Sequence, residues 1–442
     1  MGDVMNAEVR PIRTAAETAL GEAYASVRAD LPGGETARLV RDAAFANVER
    51  AGLPNRRVED WKYTDLRALM RDIRPFPAAP VAADVEGART LLSFGDVDAQ
   101  RVVFVNGRLV PELSDVDGVE GGVSIAPLAV ALAGDAASAL ALKGLPKNNV
   151  PTELNTAFVA DGLVIAVADG VAAQRPIHVA NIQTGEGHAS YGRVLISIGR
   201  GGSLTFLESH VGEGGAHQTN TLVGVDLADE ARLTLVKLQD ENLATLHLAT
   251  LAVRLGARSK LDTVTLSAGS AAARQQIQLD YAGDHAEANV TGAGFAGGRR
   301  HLDTTLVVDH ATLHCSSREL FKTALDGEAR SVFQGKIVVR PGAQKTDGKM
   351  MANALLLSEG AEADAKPELE IFADDVVCGH GATVGQLDDE LLFYLKARGI
   401  PQAEAEALLV QAFVGEVLEA IEIDPLREAL MARAERWLVE RS

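Results

Sequence analysis

The segment ADDVVCGHGATVG, residues 373–385, holds one of the chain's two cysteines, and a histidine stands two residues beyond it with glycine on either side. A thiolate and an imidazole can ligate iron or zinc together, or act as nucleophile and base. In an extended strand, residues i and i+2 point to the same face with their bases about 7 Å apart. Cys378 and His380 could therefore reach one metal ion, or one ligand carried by another chain. Two donors do not complete a coordination shell, so the rest would have to come from elsewhere, a partner protein included. Gly379 and Gly381 lack bulk and would let a second backbone come close. A nucleophile–base pair also needs a group that orients the histidine, and Asp374 and Asp375 are near it only in sequence. Spacing alone ranks a turn without chemistry first, a shared metal or cluster site second and a hydrolase third.

A second group is His310, His314 and Cys315 in VVDHATLHCSSREL. Read as a strand, it puts the two histidines roughly 13 Å apart on one face and Cys315 on the other. It makes no local site, and the expectation is a buried cysteine beside histidines satisfied by backbone groups. The chain has no G-x-x-x-x-G-K-[ST] phosphate loop, no G-x-S-x-G elbow and no C-x-x-C pair.

The elements that must position these residues fall into three stretches. From about Arg101 to Gly385, segments such as RVVFVNG, GLVIAVADG, RVLISIG, TLVGVDL, RLTLVKL and KLDTVTL alternate apolar and polar residues and read as strands. Small or polar turn residues precede apolar anchors at Leu204, Leu233, Leu261 and Val290, at intervals of 29, 28 and 29 residues. GEARSVF near Phe333 and ADAKPELEI near Leu369 read as later members of the same repeat. A strand repeat at this period without intervening helices predicts a β-solenoid. An antiparallel sandwich would need hairpin signals, and Asn106-Gly107 is the one Asn-Gly in the chain.

Before the repeat, Thr36 to Leu53 carries Leu39, Val40, Ala43, Phe45 and Val48 on a helical stripe, VEDWKYTDL follows at 58–66, and FPAAPVAADVEG reads as a linker. After it, ELLFYLKARGIP closes on Gly399, and Pro401 opens a helix bearing Leu408, Leu409, Phe413, Val417, Leu418 and Ile421. Asp424 and Pro425 start another, with Leu426, Leu430, Trp437 and Leu438 on its stripe. Such stripes are core or partner-docking surfaces. The expected domains are 1–95 helical, 96–385 β-solenoid and 386–442 helical.

The 61 acidic against 42 basic residues give a net charge of −19, a field that repels nucleic acid and anionic membranes. Two cysteines make no disulfide framework. The N-terminal MGDVMNAEVRPIRT lacks a signal-peptide core. The nearest membrane-span candidate, Pro127 to Leu145, is interrupted by Asp135 and Lys143. These features predict a reduced, cytoplasmic protein.

EDWKYTDL, SSRELFKTALDGEARSVFQGKIVV, AQKTDGKMMANALLLSEGAEADAKPELEIFADDVVCGHGATVG and LFYLKARGI, in that order, resemble the SufB/SufD family of scaffold subunits for iron–sulfur cluster assembly. The resemblance is dense over residues 309–415 and thinner elsewhere. Ala365 stands before Lys366-Pro367 where the family more often has threonine. The AQKTDG and CGHGATVG forms are similar to the SufD branch; SufB typically carries an acidic residue where this chain has Gly381.

The resemblance implies a mostly β protein, a right-handed parallel β-helix flanked by N- and C-terminal α-helical domains. It implies lateral pairing with a SufB-like paralogue and docking of a SufC-like ABC ATPase on the C-terminal region, through residues such as Phe393, Tyr394, Arg398, Gly399, Ile400 and Phe413, some of which must be core. It places His380, and with less weight Cys378, at the paralogue interface as ligands for transient iron or a nascent cluster. A non-catalytic scaffold is thus expected, with no stably bound cofactor, ATP held by the partner, no nucleic acid or membrane partner, and a homodimer as an option in isolation. The alternatives are a SufB-like scaffold and a stand-alone β-helix enzyme acting on polysaccharides.

Overall fold

The computed structural model describes residues 13–115, 119–134, 139–140 and 149–440. Most strands are nine or ten residues long, and from Asp161–Val167 onward consecutive strands lie in opposite sheets, so strands two apart in sequence are neighbours. One sheet has ten strands, ending on Asp347–Leu356 and Val377–Gly385; the other has nine, ending on Arg330–Val339 and Glu362–Ile371. From Ile177–Gln183 onward every pairing is parallel. The protein is mostly β, a solenoid with helices at both ends.

Alternation puts one face of every strand between the sheets. Leu204, Leu233 and Leu261 align across neighbouring strands of one sheet, facing Val225, Val253 and Leu279 of the other, all within one buried cluster. Each such side chain contributes roughly 1.5–3 kcal/mol on burial, and stacking makes the core continuous. The register corrects two expectations. Leu261 aligns with Ala288, and Val290 with Thr263, so the fourth anchor is shifted by one inward position. GEARSVF and ADAKPELEI belong to the other sheet, where Phe333 aligns with Ala365; the first ladder continues instead in Ser316–Leu325, Asp347–Leu356 and Val377–Gly385.

The turns repeat as well. Gly201, Glu230, Arg258, His285, His314 and Lys345 all take φ between +53° and +65°. Non-glycine residues in this conformation cost about 1–2 kcal/mol each. The stacking repays it: each N–H donates to a turn carbonyl of the next coil, as in Glu230 to Ala257, Arg258 to Asp284 (2.8 Å each) and His285 to Leu313 (2.9 Å).

Helices Ala15–Val27 and Glu35–Ala51 pack with Val150–Phe158 against the solenoid. Leu39, expected on the buried stripe, is exposed, and Arg41 is buried instead, donating to the carbonyls of Pro32, Thr156 and Ala157. The EDWKYTDL segment docks on the outer face of the nine-stranded sheet. The Arg274 guanidinium lies 4.0 Å over the Trp61 ring, and Thr64 donates to Asp303, which also pairs with Arg274.

Three stretches depart from the expected elements. Leu128–Gly134 and Val150–Phe158 are helices within the stretch read as strands, the second capped by Asn149 accepting from Thr152 N–H at 3.2 Å. Ala82–Thr90, read as linker, is helical, with Asp84 accepting from the Val81 N–H at 2.9 Å. Residues 1–12, 441 and 442, at the ends of the expected terminal domains, lie outside the described residues, as do Asp135 and Lys143 of the apolar stretch. Among the described residues no helix is long and apolar enough to cross a membrane, which leaves membrane β-barrels unaddressed.

Candidate functional site

Val377–Gly385 is the edge strand of the ten-stranded sheet, paired only with Asp347–Leu356 among the described strands. Cys378 and His380 align with Gly348 and Met350, and Met350 is part of the inter-sheet core. The thiol and the imidazole thus share the inward-facing side of the final coil, as their spacing predicts. Cys378 is half-buried against the core, which raises its pKa by desolvation, while His380 is exposed where the solenoid ends.

Further in along the same row sits Glu319, aligned with Met350. Its side chain is buried, and desolvation pushes its pKa up to about 8. On the outer face of the same strands a groove of about 680 Å³ runs from Thr234 past Arg318 and Leu320 to Val377 of the last strand, with Ile421 on its helical side.

The site has an open edge. Val377–Gly385 and Glu362–Ile371 each present one unpaired side at the same end of the solenoid, and Phe372 (59% exposed), Val377 (62%) and Val384 (50%) surround them. A Cβ on Gly379 would meet nothing within 4 Å, consistent with open approach there; one on Gly381 would crowd the mobile end of Met351. Unpaired edges with apolar neighbours are surfaces on which another chain adds. The hydrolase arrangement is missing: Asp375 is 2.5 Å from Lys345 Nζ, and Asp374 is exposed without an observed bond to His380.

The second histidine group is not extended. His310 ends strand His301–His310, but residues 311–315 form a turn. His310 shares a 3.0 Å hydrogen bond with Ser317 Oγ and stacks on Tyr281 at 4.1 Å, so its partner is a hydroxyl, not backbone. Burial lowers its pKa to about 4. His314 occupies the left-handed turn position and stacks on His285 at 4.7 Å. Cys315 is buried against Thr312 and the Gly283 carbonyl, and desolvation raises its pKa.

At the C-terminus, helix Asp389–Ala397 exposes Leu391, Phe393 (73%) and Tyr394 (53%). Arg398 stacks 3.8 Å over Tyr394, and Gly399 takes φ +86° in the turn. Phe413 is half-buried, with Lys322 Nζ 4.7 Å over its ring, and Ile400 is also half-buried. Of the expected docking residues, Phe393, Tyr394, Arg398 and Gly399 are exposed, Ile400 is half-buried, and Phe413 packs with the apolar cluster on the solenoid's outer face.

Two family models cover the chain in succession: the SufBD protein N-terminal region over residues 17–179, and the SUF system FeS cluster assembly, SufBD core domain over 181–413. The chain belongs to the SufBD family. Similar SufBD-type proteins include the iron–sulfur cluster assembly protein SufD of Escherichia coli, 32% identical over 392 residues that span 87% of this chain and 89% of that protein. A SufBD family protein of Synechocystis is 29% identical over 86% of each chain, and one of Mycobacterium bovis is 34% identical over 67% of this chain and 75% of its own. This chain is accordingly a SufD-like iron–sulfur cluster assembly protein.

One polar cluster escaped the sequence reading. Glu208, His210, Lys237, Gln239, Glu241 and His247 are all buried. The signal lay in RLTLVKLQDE: the period-two apolar pattern continues as Lys237, Gln239 and Glu241, inward positions occupied by polar residues.

Proposed function

We propose that this chain is a non-catalytic cytoplasmic scaffold that becomes a cluster-building site only when a second β-solenoid joins its open end. The observation that carries this reading is the pairing of two potential iron donors, Cys378 and His380, with an unpaired sheet edge and exposed apolar side chains. A neutral imidazole and a thiolate both ligate cluster iron, and two donors leave room for donors from the partner. His380, exposed on the edge strand, is the stronger ligand candidate; Cys378 is more withdrawn. The partner is a SufB-like paralogue. An ABC-type ATPase of the SufC kind docks on the Phe393–Tyr394 surface, and its nucleotide-driven movement would be transmitted through helices 402–418 and 424–440 to the sheet they cover. Iron and the nascent cluster are cargo in this scheme, and ATP is held by the ATPase alone.

A tagged full-length chain pulled from its own cytosol and weighed by native mass spectrometry tests the assembly. The expected result is a complex holding one paralogous β-solenoid protein and an ATPase. Recovery of the chain alone, or only as a homodimer, would overturn it.

A further inference from the structure

Strands Ser203–Gly212, Arg232–Asp240 and Leu246–Leu255 place charged and imidazole side chains between the sheets. Ligand atoms of His210, Glu241 and His247 all lie within 4.8 Å of one another, and none of the three side chains is more than 2% exposed. His210 Nε2 is 2.7 Å from Glu208 Oε1. With that nitrogen protonated and donating, Nδ1 is left as a bare lone pair, and Nδ1 has no partner in the fold. A buried acceptor without a partner costs about 1–3 kcal/mol.

The remaining contacts hold the donors in place. The Glu241 carboxylate accepts from Thr219 Oγ1 and Gln239 Nε2, both at 2.8 Å, and one of its oxygens lies 3.0 Å from His247 Nδ1. Lys237 Nζ sits 3.2 Å from His247 Nε2 and 3.8 Å from Glu208, so it can turn from the imidazole to the carboxylate without leaving the cluster. Carboxylates and amides that orient ligating histidines are the usual surroundings of a protein metal site.

Two imidazoles and one carboxylate make a borderline donor set suited to first-row transition ions. His247 is wholly buried, and burial draws its pKa down. A narrow cavity of about 60 Å³ has His247 and Gln275 among its lining at one end and Thr383 and Val384 of the last strand at the other, room for a few water molecules.

We propose that His210, Glu241 and His247 bind one divalent transition-metal ion inside the solenoid, at a site separate from Cys378 and His380. Glu208 fixes the His210 tautomer, and the ion takes the place that Lys237 occupies at His247.

The test uses the full-length chain carrying Cys378→Ala and His380→Ala, so that the end of the solenoid contributes no donors. The metal-free protein is titrated anaerobically with Co(II), reading the visible ligand-field bands, and then with Zn(II) in competition. One ion per chain is expected, with a rise in Tm on binding. His210→Gln and Glu241→Gln should each weaken binding at least tenfold while the metal-free far-ultraviolet circular dichroism stays unchanged. If a variant fails to fold, proton NMR of the Co(II)-loaded parent decides: paramagnetically shifted ring signals from two histidines support the site, and fewer than two overturn it. No bound ion in the parent, or unchanged affinity in both folded variants, also overturns it. Because Cys378 and His380 are absent throughout, this result is independent of the interface reading.

Discussion

Asp303→Ala will destabilise the fold by about 3–5 kcal/mol, the loss typical when one partner of a buried ion pair is removed. Asp303 and Arg274 pair with both side chains almost wholly out of water. Arg274 also stacks on Trp61 and donates to the Asp60 carbonyl at 2.9 Å, and Thr64 donates to the same carboxylate. Removing the carboxylate leaves a buried guanidinium charge under an aromatic ring without its counter-ion. The loss therefore spreads from the solenoid to the 59–66 segment anchored on it. Denaturant unfolding should show a lowered midpoint with an unchanged slope, and limited proteolysis should cut first between residues 54 and 75. A loss below about 1 kcal/mol would mean that water replaces the carboxylate and that the pair is not the anchor.

Phe393→Glu combined with Tyr394→Glu will weaken ATPase binding about 100-fold or more. Aromatic anchors at the centre of an interface contribute 2 kcal/mol or more each, and each 1.4 kcal/mol is tenfold in affinity. Both side chains are largely exposed, so thermal stability should hold, which separates this loss from misfolding. Calorimetric titration of the ATPase into the variant checks it, and affinity within threefold of the parent would move the docking surface elsewhere. Deletion of residues 401–442 is a poorer test. Val414, Leu430 and Trp437 are packed with Leu238, Val264 and Phe295 on the outer face of the ten-stranded sheet, and Trp437 is 4.9 Å from Phe295. Their removal would expose that face and promote aggregation.

The solenoid was legible because its strands are long, alternate cleanly and repeat near 28 residues, a signal that pairing in register reinforces. Its phase was less so. Ala288 serves as well as leucine inside a coil, so the apolar anchor drew the eye to Val290. The turns hid their regularity because the left-handed position is filled by Glu230, Arg258, His285 and His314 more often than by glycine; no residue type marks it, only the period. For the same reason sequence alone places His314 and Cys315 in a strand, where the structure has a turn.

The shared face of Cys378 and His380 followed from spacing. Their place at an open edge did not, since sequence does not say which strand ends a sheet. Likewise Glu319 and the His210–Glu241–His247 cluster are assembled across coils, from residues whose neighbours in sequence give no hint of one another. Composition could say only that polar residues interrupt an inward-facing row.

The central claim is that His380 works in a site completed by another chain. The most direct measurement is cluster formation by the assembled complex carrying His380→Ala, followed by the visible absorption of the product under anaerobic iron and sulfide supply. The complex should elute at its normal mass, with cluster yield down on the order of 10–100-fold, the range seen when groups that support a metal site are removed. An intact complex with parental yield would contradict the ligand role, and a complex that falls apart would make His380 a structural contact instead.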